Sequence, residues 1–324
     1  MGHLDAAWMG AALALSERTR GRTAPNPNVG CLIVAGGRVV GRGWTQPGGR
    51  PHAEAMALAQ AGAAARGATA YVTLEPCAHV SARGPACADL LIAAGVARVV
   101  AALGDPDPRT NGDGLARLGA AGIAVAEGVR AEDARAAMAG FLTRQVLGRP
   151  QVTLKLALSL DGMIARADGE SRWITGEQAR AHTHLERSRH EAILVGRGTY
   201  EADAPRLDVR LPGLEARSPR RLVLTRNALV LPGWETLPSP AAIADLTGVD
   251  HLFVEGGAGA ASAFLAADLV DRLLLYRAPI LIGAGRPALG DIGLGSLAQA
   301  HGRWRLAEAR MLGQDRLEIY HRTR

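Results

Sequence analysis

The sequence predicts two α/β domains in succession, and three observations lead to that class. At 324 residues the chain exceeds what one hydrophobic core usually organises. Short apolar strands alternate with helical segments through both halves, the pattern of a mainly parallel sheet covered on both faces. Arg149-Pro150 breaks a helical pattern and a new strand begins at once, which sets the domains at 1–148 and 149–324.

In the first half, "AAWMGAALALSERTR" reads as an amphipathic helix, and "VGCLIVAGGRVVGRGW" as a hairpin turning at Gly36-Gly37. A helix from His52 to about Ala65 follows, then strand "ATAYVTLEP", helix "CADLLIAAG", strand "RVVAALGDP", helix "NGDGLARLGAAG", strand "IAVAEGV" and one closing helix, "AEDARAAMAGFLTRQVLG". The second half opens on strand "QVTLKLALSLDG", whose Asp161-Gly162 signals a tight turn. Helix "GEQARAHTHLERSR" comes next, then strands "HEAILVGRGTY", "RRLVLTR" and "HLFVEGGAG", helix "AASAFLAADL", and the β-rich "VDRLLLYRAPILIG" and "RLEIYHRTR".

With 48% hydrophobic and 21% charged residues, the composition is that of an ordinary globular protein. No apolar run is long enough to span a bilayer, and no basic segment precedes the first apolar stretch, so a cytoplasmic location without membrane partners is expected. Cys31, Cys77 and Cys87 are too few for a disulfide framework. In a reducing compartment such thiols point to metal binding or catalysis, though Cys31 reads as a small core residue. The net charge of +6 comes from scattered arginines, Lys155 being the one lysine, so it describes a solvated surface that tolerates anionic substrates.

The first chemical constellation starts at "RPHAEAMAL", where His52 and Glu54 open a helix. Glu54 alone would be explained as a favourable charge at a helix N-terminus; His52 would not. Cys77 follows Pro76 after a strand, and Cys87 stands before a helix whose dipole favours a thiolate. One His and two Cys leave a fourth tetrahedral position for water, as in a catalytic zinc site. Zinc brings the pKa of bound water toward about 7, and Glu54 then serves as the proton shuttle. The pattern matches the deaminase signature H-x-E…P-C, except that nine residues separate the cysteines instead of two.

On these residues the chain resembles the bifunctional riboflavin-biosynthesis deaminase/reductase family. The segments "APNPNVGC", "PHAEAMAL", "YVTLEPCAH", "GVARVVAALGDPDP", "LKLALSLDG", "GESRWIT", "AILVGRGTY" and "VEGG" occur in its order over nearly the whole chain. The resemblance implies an N-terminal cytidine-deaminase-like three-layer α/β/α domain and a C-terminal dihydrofolate-reductase-like α/β domain. It implies zinc on His52, Cys77 and Cys87 in the first, with Glu54 catalytic. Asn26 and Asn28 would line the pyrimidine pocket, and Asp105 and Asp107 would help bind a diaminopyrimidinone carrying a phosphoribosylamino group. Two departures stand out: Thr45 occupies a place where the family usually has His, and "SARGPAC" replaces a basic residue followed by Thr-Pro-Pro-Cys. Ser81 and Arg83 are the expected replacements for phosphate binding.

In the second half, "VEGGAGAASAFL" places glycines between a strand and a helix, where backbone N–H groups face an anion, although the spacing is not G-x-G-x-x-G. The resemblance sharpens this to an NADPH site formed by Ala157, Trp173, Thr199, Asp203 and the turn from Gly257 through Ala258 and Gly259. Ser171, Arg187, Leu207, Arg210 and Glu255 would contact the ribosylamino substrate, with the arginines available for its phosphate. Arg226 is the candidate partner for the cofactor's 2′-phosphate, and Lys155 and Asp161 are the candidates for proton donor. The partners implied are small-molecule phosphoribosylaminopyrimidines and further copies of the chain in a homo-oligomer. A nucleic-acid-acting deaminase is the distant alternative, weakened by 4% aromatic residues and dispersed arginine. A reductase whose deaminase has altered or lost its specificity is the nearer one.

Overall fold

In the computed structural model, which describes residues 2–79, 83–227 and 232–324, the chain divides into Met1–Gly148 and Arg149–Arg324. The first unit runs α1 (Gly2–Ser16), β1 (Gly30–Ala35), β2 (Arg38–Trp44), α2 (Ala53–Ala61), β3 (Thr69–Val72), α3 (Cys87–Ala94), β4 (Arg98–Ala101), α4 (Asp113–Ala120), β5 (Ala124–Glu127), α5 (Ala131–Ala137) and α6 (Ala139–Leu147). Its five strands are ordered β2-β1-β3-β4-β5. β1 pairs antiparallel with β2 and β3, whereas β3, β4 and β5 run parallel, so this sheet is mixed and not mainly parallel. The two-residue turn at Gly36-Gly37, both at positive φ, imposes the antiparallel edge.

Missing side chains bring helices against both faces of that edge. A Cβ on Gly30 would stand 1.9 Å from the Ala12 carbonyl oxygen of α1, and one on Gly43 would stand 1.9 Å from the Ala53 oxygen of α2. Gly30 and Cys31, the residue paired with Gly43, are successive on the pleat and address opposite faces. The sheet is therefore sandwiched between α1 and α2, and the start of α2 is fixed by backbone contact. The expected closing helix breaks in two at Met138 (φ −105°, ψ 20°). Its side chain is fully buried, so the break sits where packing anchors the chain, two residues before Gly140.

The second unit runs β6 (Gln151–Leu158), β7 (Met163–Arg166), α7 (Glu177–Arg187), β8 (Ala192–Gly196), α8 (Arg197–Asp203), β9 (Arg220–Leu224), β10 (Glu235–Leu237), β11 (His251–Val254), α9 (Ala258–Ala266), β12 (Arg272–Arg277), β13 (Gly285–Pro287), β14 (Trp304–Leu312) and β15 (Asp315–Arg322). Eight strands form one sheet in the order β10-β9-β8-β11-β6-β12-β15-β14, parallel as far as β12 and antiparallel beyond it. Alternate residues feed two cores. Leu154, Leu194 and Leu252 meet Phe264 of α9 on one face, while Ile193, Phe253 and Leu274 meet Ala179 of α7 on the other. The expected strand "HEAILVGRGTY" ends at Gly196, where α8 begins with Arg197 paired to Glu201 one turn on at 2.6 Å. β14 is exposed along nearly all its length, so it carries no apolar alternation to read. β7 and β13 form a separate two-stranded sheet too short to stand out in sequence.

Candidate active sites

His52 is the N-cap of α2 in extended conformation, which turns its ring off the helix start while Glu54 enters the first turn almost fully buried. Cys87 is the first residue of α3, and its backbone N–H donates to Cys77 Sγ at 3.3 Å. His52 Nδ1 lies 3.3 Å from Cys87 Sγ and 3.7 Å from Cys77 Sγ. Ligand atoms of the three residues all fall within 4.8 Å of one another. One imidazole nitrogen and two thiol sulfurs in that space suit a tetrahedral zinc ion and leave one position open. The Asn26 amide nitrogen donates to the Gly49 carbonyl at 3.2 Å and stands 3.0 Å from His52 Nε2, on the ring's other side.

The electrostatics agree with the geometry. A hydrogen bond from the Cys87 thiol, helped by His52 and the Cys87 N–H, lowers Cys77 to about 4 against the effect of burial. That same bond, together with burial, raises Cys87 well above the ordinary thiol range. Burial pushes Glu54 up to about 7, the range for accepting and releasing protons at neutral pH. Asp105 is raised to about 6 by burial, with the charges of Asp107 and Glu75 adding to it. Asp107, by contrast, is held low by Arg109, whose guanidinium chelates its carboxylate at 2.5–3.1 Å.

Other expected residues are placed differently. Asn28 is buried and its amide donates to the Ser16 and Ala137 carbonyls, which ties α1 to the end of α5. The Thr45 hydroxyl is buried and accepts the Val29 N–H at 3.0 Å, so it is committed to the backbone of its own unit. Arg83 donates to the Gly48 carbonyl at 2.8 Å, bridging the intercysteine loop to the turn before His52. Ser81 lies outside the described residues.

The second unit carries an open cavity of about 920 Å³ beside the carboxyl ends of β8 and β11, the usual ligand position on a parallel sheet. Ala157, Ser171, Trp173, Arg187, Thr199, Asp203, Leu207, Arg210, Glu255, Gly257, Ala258 and Gly259 all line it. Gly257 caps α9, and its N–H donates to Thr199 Oγ1 at 3.0 Å, which fixes the glycine turn against α8. Leu207 holds φ +51° with its side chain buried in the wall. Arg187 gives two hydrogen bonds of 2.8 Å to Glu255 and one to the Asp208 carbonyl, so its guanidinium is committed inside the protein. Arg210 is half exposed, with its Nε 3.5 Å from the Asp208 carboxylate. Burial is the largest influence on Glu255 and would raise it, yet Lys155 and Arg187 together hold it down to about 2.

Arg226 is exposed beyond β9 and does not line the cavity. Lys155 lines it, 3.3 Å from Glu255. Asp161 does not; it accepts the N–H groups of Ile282 and Gly283 and thereby braces the turn after β6. The sequence reading missed Arg172, Arg180, Arg197, Arg206 and Arg286, which also line the cavity, with Arg180 stacked 4.7 Å from the Trp173 ring. Arginines scattered over some 115 positions give no local signal of convergence.

Comparison with known proteins accords with both sites. Residues 3–103 match the cytidine and deoxycytidylate deaminase zinc-binding region, and residues 150–317 match the RibD C-terminal domain. The riboflavin biosynthesis protein RibD of Escherichia coli is 40% identical, covering 96% of this chain and 97% of that protein. That of Mycobacterium tuberculosis is also 40% identical, covering 95% of each. Among solved structures, Acinetobacter baumannii RibD superposes with a TM-score of 0.90 at 36% identity over 100% of both chains. A diaminohydroxyphosphoribosylaminopyrimidine deaminase/5-amino-6-(5-phosphoribosylamino)uracil reductase from Thermotoga maritima gives 0.89 at 31% identity over 99% of both. With both domain models matched in order and relatives aligned from end to end, this chain belongs to the RibD family of bifunctional riboflavin-biosynthesis enzymes, a zinc-dependent deaminase joined to an NADPH-dependent reductase.

Proposed function

We propose that residues 1–148 hydrolytically deaminate 2,5-diamino-6-(5-phosphoribosylamino)pyrimidin-4(3H)-one, and that residues 149–324 reduce the ribosyl group of 5-amino-6-(5-phosphoribosylamino)uracil to ribityl. The observation that carries the first step is the convergence of His52 Nδ1 and two cysteine sulfurs beside a buried carboxyl tuned near neutrality. His52, Cys77 and Cys87 would hold zinc, which would supply the Lewis acidity that makes water nucleophilic at neutral pH. Glu54 accepts a proton from the attacking water and passes it to the amino group, so that a C–O bond replaces C–N and ammonia departs. Asn26, at the edge of the cluster, and Asp105, kept largely dry, read the polar ring edge. Arg83 takes the phosphate.

For the second step NADPH supplies the hydride. Ala157, Trp173, Thr199, Asp203 and the Gly257–Gly259 turn hold the cofactor, and Ser171, Leu207, Arg210 and the Arg187–Glu255 pair orient the opened ribosylamine against it. The same reading has the enzyme act in the cytoplasm, on small molecules and not on nucleic acid, as a homo-oligomer. Among the described residues no helix is long and apolar enough to cross a membrane.

A two-step assay tests the pair of reactions. Purified protein given the diaminopyrimidinone phosphate should release ammonia without NADPH, then oxidise NADPH once it is added. Oxidation only with pre-deaminated substrate would retain the reductase and hand the first unit a different substrate, an outcome that the buried Thr45 makes worth separating.

A further inference from the structure

Glu75 stands two residues before a metal ligand, in "TLEPC", yet the mechanism above does not use it. It is 3% exposed and, among the described residues, has no ion-pair partner. Instead the carboxylate accepts four backbone N–H groups. Oε2 takes those of Asp105 and Gly112, both at 3.0 Å, and Oε1 takes those of Gly114 and Leu115 at 2.9 and 3.1 Å. Three of these donors belong to the cap and first turn of α4, where N–H groups lack helical partners and attract negative charge. The fourth belongs to Asp105 itself.

The packing around this carboxylate leaves no slack. A Cβ on Gly114 would lie 2.0 Å from the Pro76 carbonyl oxygen, so the α4 start rests directly on the peptide that delivers Cys77. Cys77 is gripped from the other side by α3, whose Cys87 N–H reaches its sulfur and whose Ala88 N–H reaches its carbonyl at 3.2 Å. Within the segment that Glu75 holds, the Asp105 carboxylate accepts the Asp107 N–H at 3.0 Å, which continues the chain of constraint.

We propose that Glu75 is a positioning residue for deamination: it locks the Asp105–Leu115 segment to the zinc-ligand turn, so that the substrate-reading loop and the metal keep one fixed relation. This rests on the deaminase reading given above. Glu75 touches neither metal nor substrate and acts through Asp105 and Cys77.

Glu75→Gln keeps the shape but replaces one acceptor oxygen with an NH₂ group, so two of the four N–H donors lose their partner. The variant is assayed as the full-length, zinc-loaded enzyme for ammonia release, zinc content and NADPH oxidation with pre-deaminated substrate. The expected result is a KM for the deaminase substrate raised at least ten-fold at one zinc per chain, with reductase kinetics unchanged. A role confined to stability would lower the fraction of zinc-loaded, active protein and leave KM where it was; an unchanged KM overturns the proposal. Should Glu75→Gln fail to yield a zinc-loaded domain, Gly114→Ala, whose Cβ would meet the Pro76 carbonyl at 2.0 Å and Glu75 Oε1 at 3.0 Å and so strains the same lock while keeping the carboxylate's charge, decides by the same KM criterion. Wild-type enzyme that releases no ammonia would instead overturn the deaminase reading and is read separately.

Discussion

Glu54 is buried in the first turn of α2, and its chemistry follows from that placement. Because burial raises it to about 7, it is protonated for part of the time at neutral pH and is able to carry a proton in both directions. Glu54→Ala is expected to retain one zinc per chain and lose ammonia release by at least 10²-fold, the scale of a general acid–base contribution; normal turnover by the zinc-loaded variant would refute the shuttle. Glu255 shows the opposite tuning. Its folded pKa of about 2 lies below the ordinary 4.5, so the stability it contributes is fully present above pH 4.5 and is lost as pH falls toward 2. That contribution is on the order of 3 kcal/mol. In Glu255→Gln the Arg187 charge stays buried without its carboxylate, so the reductase unit should be clearly less stable at pH 7, with the gap to wild type closing near pH 2. Denaturant unfolding at both pH values checks it, and a gap independent of pH would speak against the ion pair. His52, Cys77 and Cys87 were legible as a set because a zinc site demands imidazole and thiolate ligands in one place. Asn28 was less legible, since the same amide that suits a pyrimidine edge also satisfies two carbonyls.

At the scale of elements, the site depends on how closely α2 approaches the sheet. Gly43 faces the Ala53 carbonyl, one residue after His52 and one before Glu54. Gly43→Ala must displace backbone, not a flexible side-chain tip, and is expected to cost about 1–3 kcal/mol. The displaced helix carries a zinc ligand and the proton shuttle together, so zinc affinity should fall with stability; a calorimetric melt and a zinc titration measure both, and unchanged zinc affinity would show that α2 is held elsewhere. Elements that are continuous apolar runs were readable, as β1, β8 and β11 were. The break at Met138, the α8 turn inside an expected strand and the exposed β14 were not, because tertiary packing and hairpin pairing decide them and local periodicity does not.

At the scale of the molecule, two α/β units each hold the residues of one reaction. The cluster of His52, Cys77 and Cys87 lies wholly within Met1–Gly148, and the cavity lined by Lys155, Arg187 and Glu255 lies wholly within Arg149–Arg324. Two domains were legible from length and from the Arg149-Pro150 break, but the antiparallel edge of the first sheet was not, since β1 and β3 are both continuous apolar runs that fit either direction. The central claim is that the two chemistries are separately housed, one on zinc and one on NADPH. The most direct measurement strips zinc with a chelator and follows both half-reactions on one preparation. Ammonia release should fall to background and return when zinc is restored, while NADPH oxidation with pre-deaminated substrate holds its rate. Ammonia release that persists in verified zinc-free protein, or a parallel loss of both activities, would contradict the account.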